Sequence, residues 1–175
     1  MTNVTIDHIA GQDPSPCMED LAEILKAAVE AGASVGFIVP FELEDARAFW
    51  REKVFPSVVD GGRCLLVART DDRIVGTVQL VTDMLPSQVH RCEVSKLLVH
   101  PDSRRQGIAR LLMSALEDLA RQQGRSLVTL DTKTGDMAEP LYASMGYQTA
   151  GVIPGYCRDS HSPVMDSTTY MYKDL

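Results

Sequence analysis

Val94-Ser95-Lys96-Leu97-Leu98-Val99-His100-Pro101, followed by Arg104-Arg105-Gln106-Gly107-Ile108-Ala109, decides the fold. It reads as a strand stopped by proline, a short basic turn opened by one glycine, and the start of a helix. Ile108, Leu111, Leu112, Ala115, Leu116 and Leu119 then recur on one helical face, and Gly124 closes that helix. Ser126 to Thr132 follows as a short buried strand. A strand, a helix and a second strand in this order predict two parallel strands side by side, joined by a right-handed crossover.

Working outward, three strands are expected before the helix: Arg63 to Thr70 and Arg73 to Thr82, turned by Asp71-Asp72, and then Val89 to His100. Val4 to Ile9 alternates apolar and polar residues and predicts a first strand. Ser15-Pro16 is expected to cap a helix carrying Met18, Leu21, Leu25, Ala28 and Val29, ended by Gly32. A loop, Ala33 to Phe37, leads to a second helix through Leu43, Ala46, Trp50 and Val54, which Pro56 should kink or end. After the crossover come a helix over Asp136 to Met145, a strand from Gly146-Tyr147 and a last strand from Thr168 to Lys173. The fold class is α/β in the α+β sense: a mixed, mostly antiparallel sheet with one parallel pair, flanked by helices.

The chain has 175 residues, enough for one domain over 1–175. Lys and Arg number 17 against 24 Asp and Glu, a net charge of -7, which argues against a nucleic-acid or anionic-membrane partner. No apolar run suits a membrane helix, and the N-terminus lacks a secretory pattern. Cys17, Cys64, Cys92 and Cys157 are too scattered for a knuckle or redox motif, and so are His8, His90, His100 and His161. Reduced thiols, no metal site and a cytoplasmic protein are expected.

Helix N-termini expose unpaired N–H groups and carry about half a positive charge. Gly107 removes the side chain that would block an approaching diphosphate, Ala109 is nearly as small, and Arg104, Arg105 and Arg110 add charge beside it. No Walker loop or dinucleotide fingerprint is present, so nucleotide hydrolysis and hydride transfer have no local support.

Arg104-x-x-Gly107-x-Ala109 after a strand ending in Leu-Leu-Val-His-Pro resembles motif A of the GCN5-related N-acetyltransferase (GNAT) superfamily. Leu141-Tyr142-Ala143-Ser144-Met145-Gly146-Tyr147 resembles its motif B, and the resemblance covers most of the chain. It implies acetyl-CoA as cosubstrate, no metal, and a GNAT fold whose fourth and fifth strands splay apart. It implies that backbone amides from Arg105 through Gln106, Gly107, Ile108 and Ala109 to Arg110 hold the pyrophosphate. It also implies that backbone groups of Leu97, Leu98 and Val99 receive the pantetheine arm as an added strand. Many relatives carry Asn before the last helix, where this chain has Gly135 and Asp136. Homodimers through paired edge strands are also frequent in that family.

Segments outside the cofactor motif carry a narrower resemblance, to acetyltransferases of the tabtoxin-resistance type: Gly32 to Phe37, Leu130-Asp131-Thr132, Pro154-Gly155-Tyr156-Cys157 and the Tyr170 to Lys173 ending. It implies a small β-lactam amino acid as acceptor. Acetyl transfer to an amine needs a base, because a free alkyl amine arrives protonated, with a reference pKa of about 10.4. Glu93 precedes the cofactor end of its strand and by alternation shares a face with Ser95 and Leu97. Asp131 ends the neighbouring parallel strand, where open α/β sheets place ligands. The resemblance assigns base catalysis to such carboxylates, and the sequence does not rank the two. The motif B resemblance makes Tyr142 the general acid toward the CoA sulfur. A backbone N–H near Leu98 or Val99 would polarise the thioester carbonyl. Ser95 and Cys92 flank the site without a histidine partner, so direct transfer is expected over an acetyl-enzyme. Ser34, Phe37 and Tyr156 are candidate acceptor-pocket residues. The competing readings are another small amine or a protein N-terminus as acceptor, and a non-catalytic acetyl-CoA sensor.

Overall fold

A computed structural model describes residues 4–10 and 13–175. The elements run β1 (Val4–Ile9), α1 (Met18–Glu30), α2 (Leu43–Phe49), α3 (Phe55–Val59), β2 (Arg63–Thr70), β3 (Arg73–Val81) and β4 (Arg91–Val99). After them come α4 (Ile108–Gln122), β5 (Leu127–Lys133), α5 (Ala138–Ser144), β6 (Gln148–Arg158) and β7 (Met165–Asp174). One seven-stranded sheet has the order β1-β2-β3-β4-β5-β7-β6. Every neighbouring pair is antiparallel except β4 and β5. This is the GNAT fold, with the parallel pair where the strand–helix–strand reading put it.

The sheet carries an apolar core on each face. On one side α1, α2 and α3 bury Leu21, Leu25, Trp50 and Val58 against Leu65, Val67 and Leu98. On the other, α4 buries Ile108, Leu112, Met113 and Leu116 against Leu66, Val78, Val94 and Val128. Alternation along β2 sorts Leu65 and Val67 from Leu66 and Ala68, as the two-residue period requires. Gly76 lets α4 sit close: a Cβ there would meet Ile108 Cγ2 at 3.1 Å and Leu112 Cδ1 at 3.2 Å. That close seat brings the N-terminus of α4 to the end of β4.

Four local expectations need correction. Ser15 does not cap α1; its backbone N–H and hydroxyl both donate to Asp13 Oδ1, at 3.0 and 2.6 Å, so Asp13 is the acceptor at that turn. Pro56 does not end the helical run. The chain widens into a π turn over Trp50–Val54, and Pro56 falls in the first turn of α3, where its missing N–H costs nothing. The helix expected near Arg105 starts at Ile108, because Arg105 and Gly107 take positive φ values of 62° and 79°. Leu97 does not share the face of Glu93 and Ser95. Ser95 pairs with Gln79 and Leu98 with Thr77, so β4 holds one residue more than β3 across that step. Lys96, at φ 51°, takes up the extra residue. The bulge turns Leu98 toward the α1 side and Leu97 toward the α4 side.

Candidate active site

Strands β4 and β5 pair only from Arg91↔Leu127 to Glu93↔Thr129. Past that point they diverge, and β4 turns through its bulge. Between them opens a cleft of about 690 Å³. Its lining runs from Arg104, Arg105, Gly107, Ile108, Ala109 and Arg110 at one end, past Leu97, Leu98 and Val99, to Glu93, Asp131, Tyr142, Ser34 and Tyr156. The expected site residues thus meet in one cleft, apart from Gln106 and Phe37, which do not line it. Gln106 is exposed on the turn. Phe37 stacks with Phe41 and Phe49, at centroid distances of 4.7 and 5.1 Å, because its ring is worth more buried than facing water.

At the basic end, Gly107 is the N-cap of α4 and offers no capping side chain, and the first turn holds no acidic residue. The first N–H with a carbonyl partner in that turn is Leu111, on Gly107 O at 3.1 Å. The N–H groups of Ile108, Ala109 and Arg110 therefore face outward without a helical acceptor. Nothing lies within 4 Å of where a Cβ on Gly107 would stand. Positive φ at Arg105 and Gly107 curls the preceding turn into a concave run of amides. Arg104 Nε donates to Val99 O at 3.3 Å, and Arg110 reaches α5 through Ser144 Oγ at 2.6 Å. The turn is open and cationic, as an anion site at a helix N-terminus requires.

At the other end the two carboxylates differ in their company. Glu93 Oε2 lies 3.4 Å from the Arg91 guanidinium. Asp131 has no cation within ion-pair distance among the described residues; its Oδ2 accepts from Thr168 Oγ1 at 3.1 Å. Thr168 is buried, and Thr132 O, at 3.0 Å, competes with Asp131 for its single hydroxyl proton, which keeps the Asp131 carboxylate against β7. Tyr170 pairs with Asp131 across the β5–β7 ladder. Its hydroxyl meets Tyr156 OH at 2.8 Å, and that contact, with burial and the charge of Asp131 behind it, pushes the Tyr170 phenol up to about 12.

Tyr142 is 6% exposed and packs on Tyr147 at 5.8 Å. Burial raises its phenol well above the usual tyrosine range, and the carboxylates of Asp131 and Asp136 raise it further. Tyr142 lines the cleft, and its hydroxyl makes no hydrogen bond among the described residues. Cys92 is buried on the α4 side, and burial pushes its thiol up to about 11, so it offers no thiolate at neutral pH. Ser34 Oγ lies 3.3 Å from Cys157 Sγ, so the loop after α1 touches β6 across the cleft. Gly135, just before α5, donates its N–H to Glu139 Oε2 at 2.7 Å.

Sequence reasoning passed over Lys96, Thr168 and Tyr170. Lys96 sits inside an apolar strand, which was the signal. Thr168 and Tyr170 become visible only once β7 is laid beside β5.

The profile of the Acetyltransferase (GNAT) family matches residues 20–147. An uncharacterized N-acetyltransferase of Azospirillum brasilense, from the hisH-hisA intergenic region, is 30% identical over 142 residues, 80% of this chain and 82% of that protein. Human N-acetyltransferase 8 is 39% identical over 92 residues, 51% of this chain and 40% of that protein. The N-acetyltransferase of Staphylococcus aureus Mu50 shares the fold at a TM-score of 0.79 and 16% identity, covering 99% of both chains. The Salmonella typhimurium protein yncA, solved with its cofactor acetyl-CoA, does so at 0.77 and 21%, covering 98% of this chain and 94% of that one. By class this is an N-acetyltransferase. The chain belongs to the GNAT acetyltransferase family. None of these relatives bears a tabtoxin-resistance name, so the acceptor rests on the chemistry of the cleft.

Proposed function

We propose that the chain transfers the acetyl group of acetyl-CoA directly to the amine of a small molecule, a class that includes tabtoxin-like β-lactam amino acids. One observation carries this reading. A single cleft joins the open N-terminus of α4, the gap between β4 and β5, and the trio Glu93, Asp131 and Tyr142. Acetyl-CoA supplies the acetyl group as a thioester. The amides of Ile108 to Arg110 hold its diphosphate, and the edge of β4 from Leu97 to Val99 receives its amide-bearing arm. A backbone N–H near Leu98 or Val99 polarises the thioester carbonyl. Asp131 takes the proton of the incoming ammonium, and Glu93, already paired with Arg91, orients it. Tyr142 donates a hydrogen bond to the departing sulfur. The Ser34–Cys157 contact narrows the acceptor end, which favours a small molecule over a peptide.

A thiol-release assay with acetyl-CoA tests this against free amino acids, tabtoxinine-β-lactam, polyamines and peptides. Release with small amines is expected. Release with peptides alone would replace the acceptor class, and tight acetyl-CoA binding without release from any amine would make the chain a sensor.

Gly107→Val probes the donor end. The φ of 79° strains any L side chain by about 1–2 kcal/mol, and the added branches enter the diphosphate cradle. The dissociation constant of acetyl-CoA should rise by roughly tenfold or more in calorimetric titration, equivalent to ~1.4 kcal/mol. An unchanged constant would place the diphosphate elsewhere.

A further inference from the structure

Lys96 lines the cleft, and acetyl transfer itself leaves its ammonium unused. It occupies the β4 bulge at φ 51°, which takes it out of the alternation of the strand. It lines the cleft together with Glu93 and Asp131. Its Nζ makes no hydrogen bond and no ion pair among the described residues. What it meets instead are ring faces: Phe37 at 6.0 Å and Phe49 at 5.8 Å from the centroids. Gly36 covers it from the loop after α1, with its ideal Cβ position 4.0 Å from Nζ, so a backbone without a side chain roofs the ammonium. Burial draws this ammonium below the ordinary lysine range, the charge of Asp131 holds it up, and Arg63 lowers it further.

A half-buried cation without a counter-ion is costly to keep, and the cost is recovered when a ligand brings the missing anion. The acceptor end of the cleft therefore holds two unlike demands: carboxylates for an ammonium and one unpaired ammonium for an anion. A plain amine answers only the first. We propose that the acceptor is an amino acid, whose ammonium goes to Asp131 and Glu93 and whose carboxylate is anchored by Lys96. The aromatic shelf of Phe37 and Phe49 and the open backbone of Gly36 hold the lysine head in place for that contact. This rests on the small-amine reading above and names its substrate class. It also gives Phe37 a place in acceptor recognition one layer behind the cleft, through the lysine it supports.

The test compares each amino acid accepted in the thiol-release assay with its decarboxylated amine, in the wild-type protein and in Lys96→Met and Lys96→Arg. The wild type should prefer the amino acid in kcat/KM. Lys96→Met should lower that preference about 10- to 100-fold, the effect of losing one charge-assisted hydrogen bond, chiefly through KM of the amino acid. Lys96→Arg should restore part of it, because the charge remains. Titration of each variant with acetyl-CoA checks that the cleft is intact. Equal kcat/KM for amino acid and amine in the wild type, or a preference that survives Lys96→Met, would overturn the assignment while leaving small-amine acetylation standing. No release with any amine would instead remove the underlying reading.

Discussion

Asp131→Asn should lower kcat/KM toward a small amine by about 10²- to 10⁴-fold near neutral pH, the range that a positioned general base contributes. The proposed mechanism makes Asp131, not Glu93, the base. The Glu93 carboxylate is already faced by Arg91 at 3.4 Å, whereas among the described residues Asp131 is held by the Thr168 hydroxyl at 3.1 Å alone, which leaves its other oxygen without a partner. Glu93→Gln should therefore act more on KM than on kcat. The pH profile separates proton transfer from simple attraction. Below the reference amine pKa of about 10.4 the acceptor arrives protonated and needs the base; as pH rises through that value, free amine accumulates and the need falls away. The gap between wild type and Asp131→Asn should accordingly narrow with rising pH. A gap that stays constant across that range would make Asp131 an ammonium-binding group only.

The sequence exposes the architecture because its signals are local and agree with one another. The amphipathic period from Ile108 to Leu119 gives α4, and Asp71-Asp72 between two apolar runs gives the β2–β3 turn, where Asp71 takes φ 53°. Gly107 was legible as the opening of the cradle, since only a residue without Cβ suits that turn. The two-residue period then fails at Lys96, because a bulge is chosen by pairing with β3, a long-range fact that no window along the chain contains. That failure moved Leu97 to the wrong face and hid Lys96. Phe37 misled for a related reason: its neighbours in sequence are small loop residues, while its neighbours in space are Phe41, Phe49 and the Lys96 ammonium. Ranking Asp131 above Glu93 likewise depends on partners: Arg91, two residues from Glu93 on the same strand, and Thr168, contributed by β7.

Tyr142→Phe should lower kcat about 10- to 100-fold while leaving acetyl-CoA affinity nearly unchanged, as expected for losing one hydrogen bond to a charged sulfur formed only during reaction. The ring stays packed on Tyr147, so the substitution removes the hydroxyl and spares the core. The energetics decide what that hydroxyl does. At reference values a phenol of pKa near 10 is a weaker acid than a thiol near 8.5, so full protonation of the thiolate is uphill by about 2 kcal/mol. Burial raises the Tyr142 phenol further, with Asp131 and Asp136 adding to it, and the uphill step grows. The same shift keeps Tyr142 protonated throughout the working pH range, always ready as a donor. In the proposed mechanism Tyr142 therefore serves the developing thiolate as a hydrogen-bond donor, and solvent completes the thiolate's protonation after release. The pH profiles of wild type and Tyr142→Phe should run parallel between about pH 6 and 9, because no phenol titration enters that window. A basic limb present in the wild type and absent from Tyr142→Phe would mean that the phenol does give up its proton. Equal kcat in both proteins, with chemistry limiting the rate, would leave Tyr142 no part in the reaction.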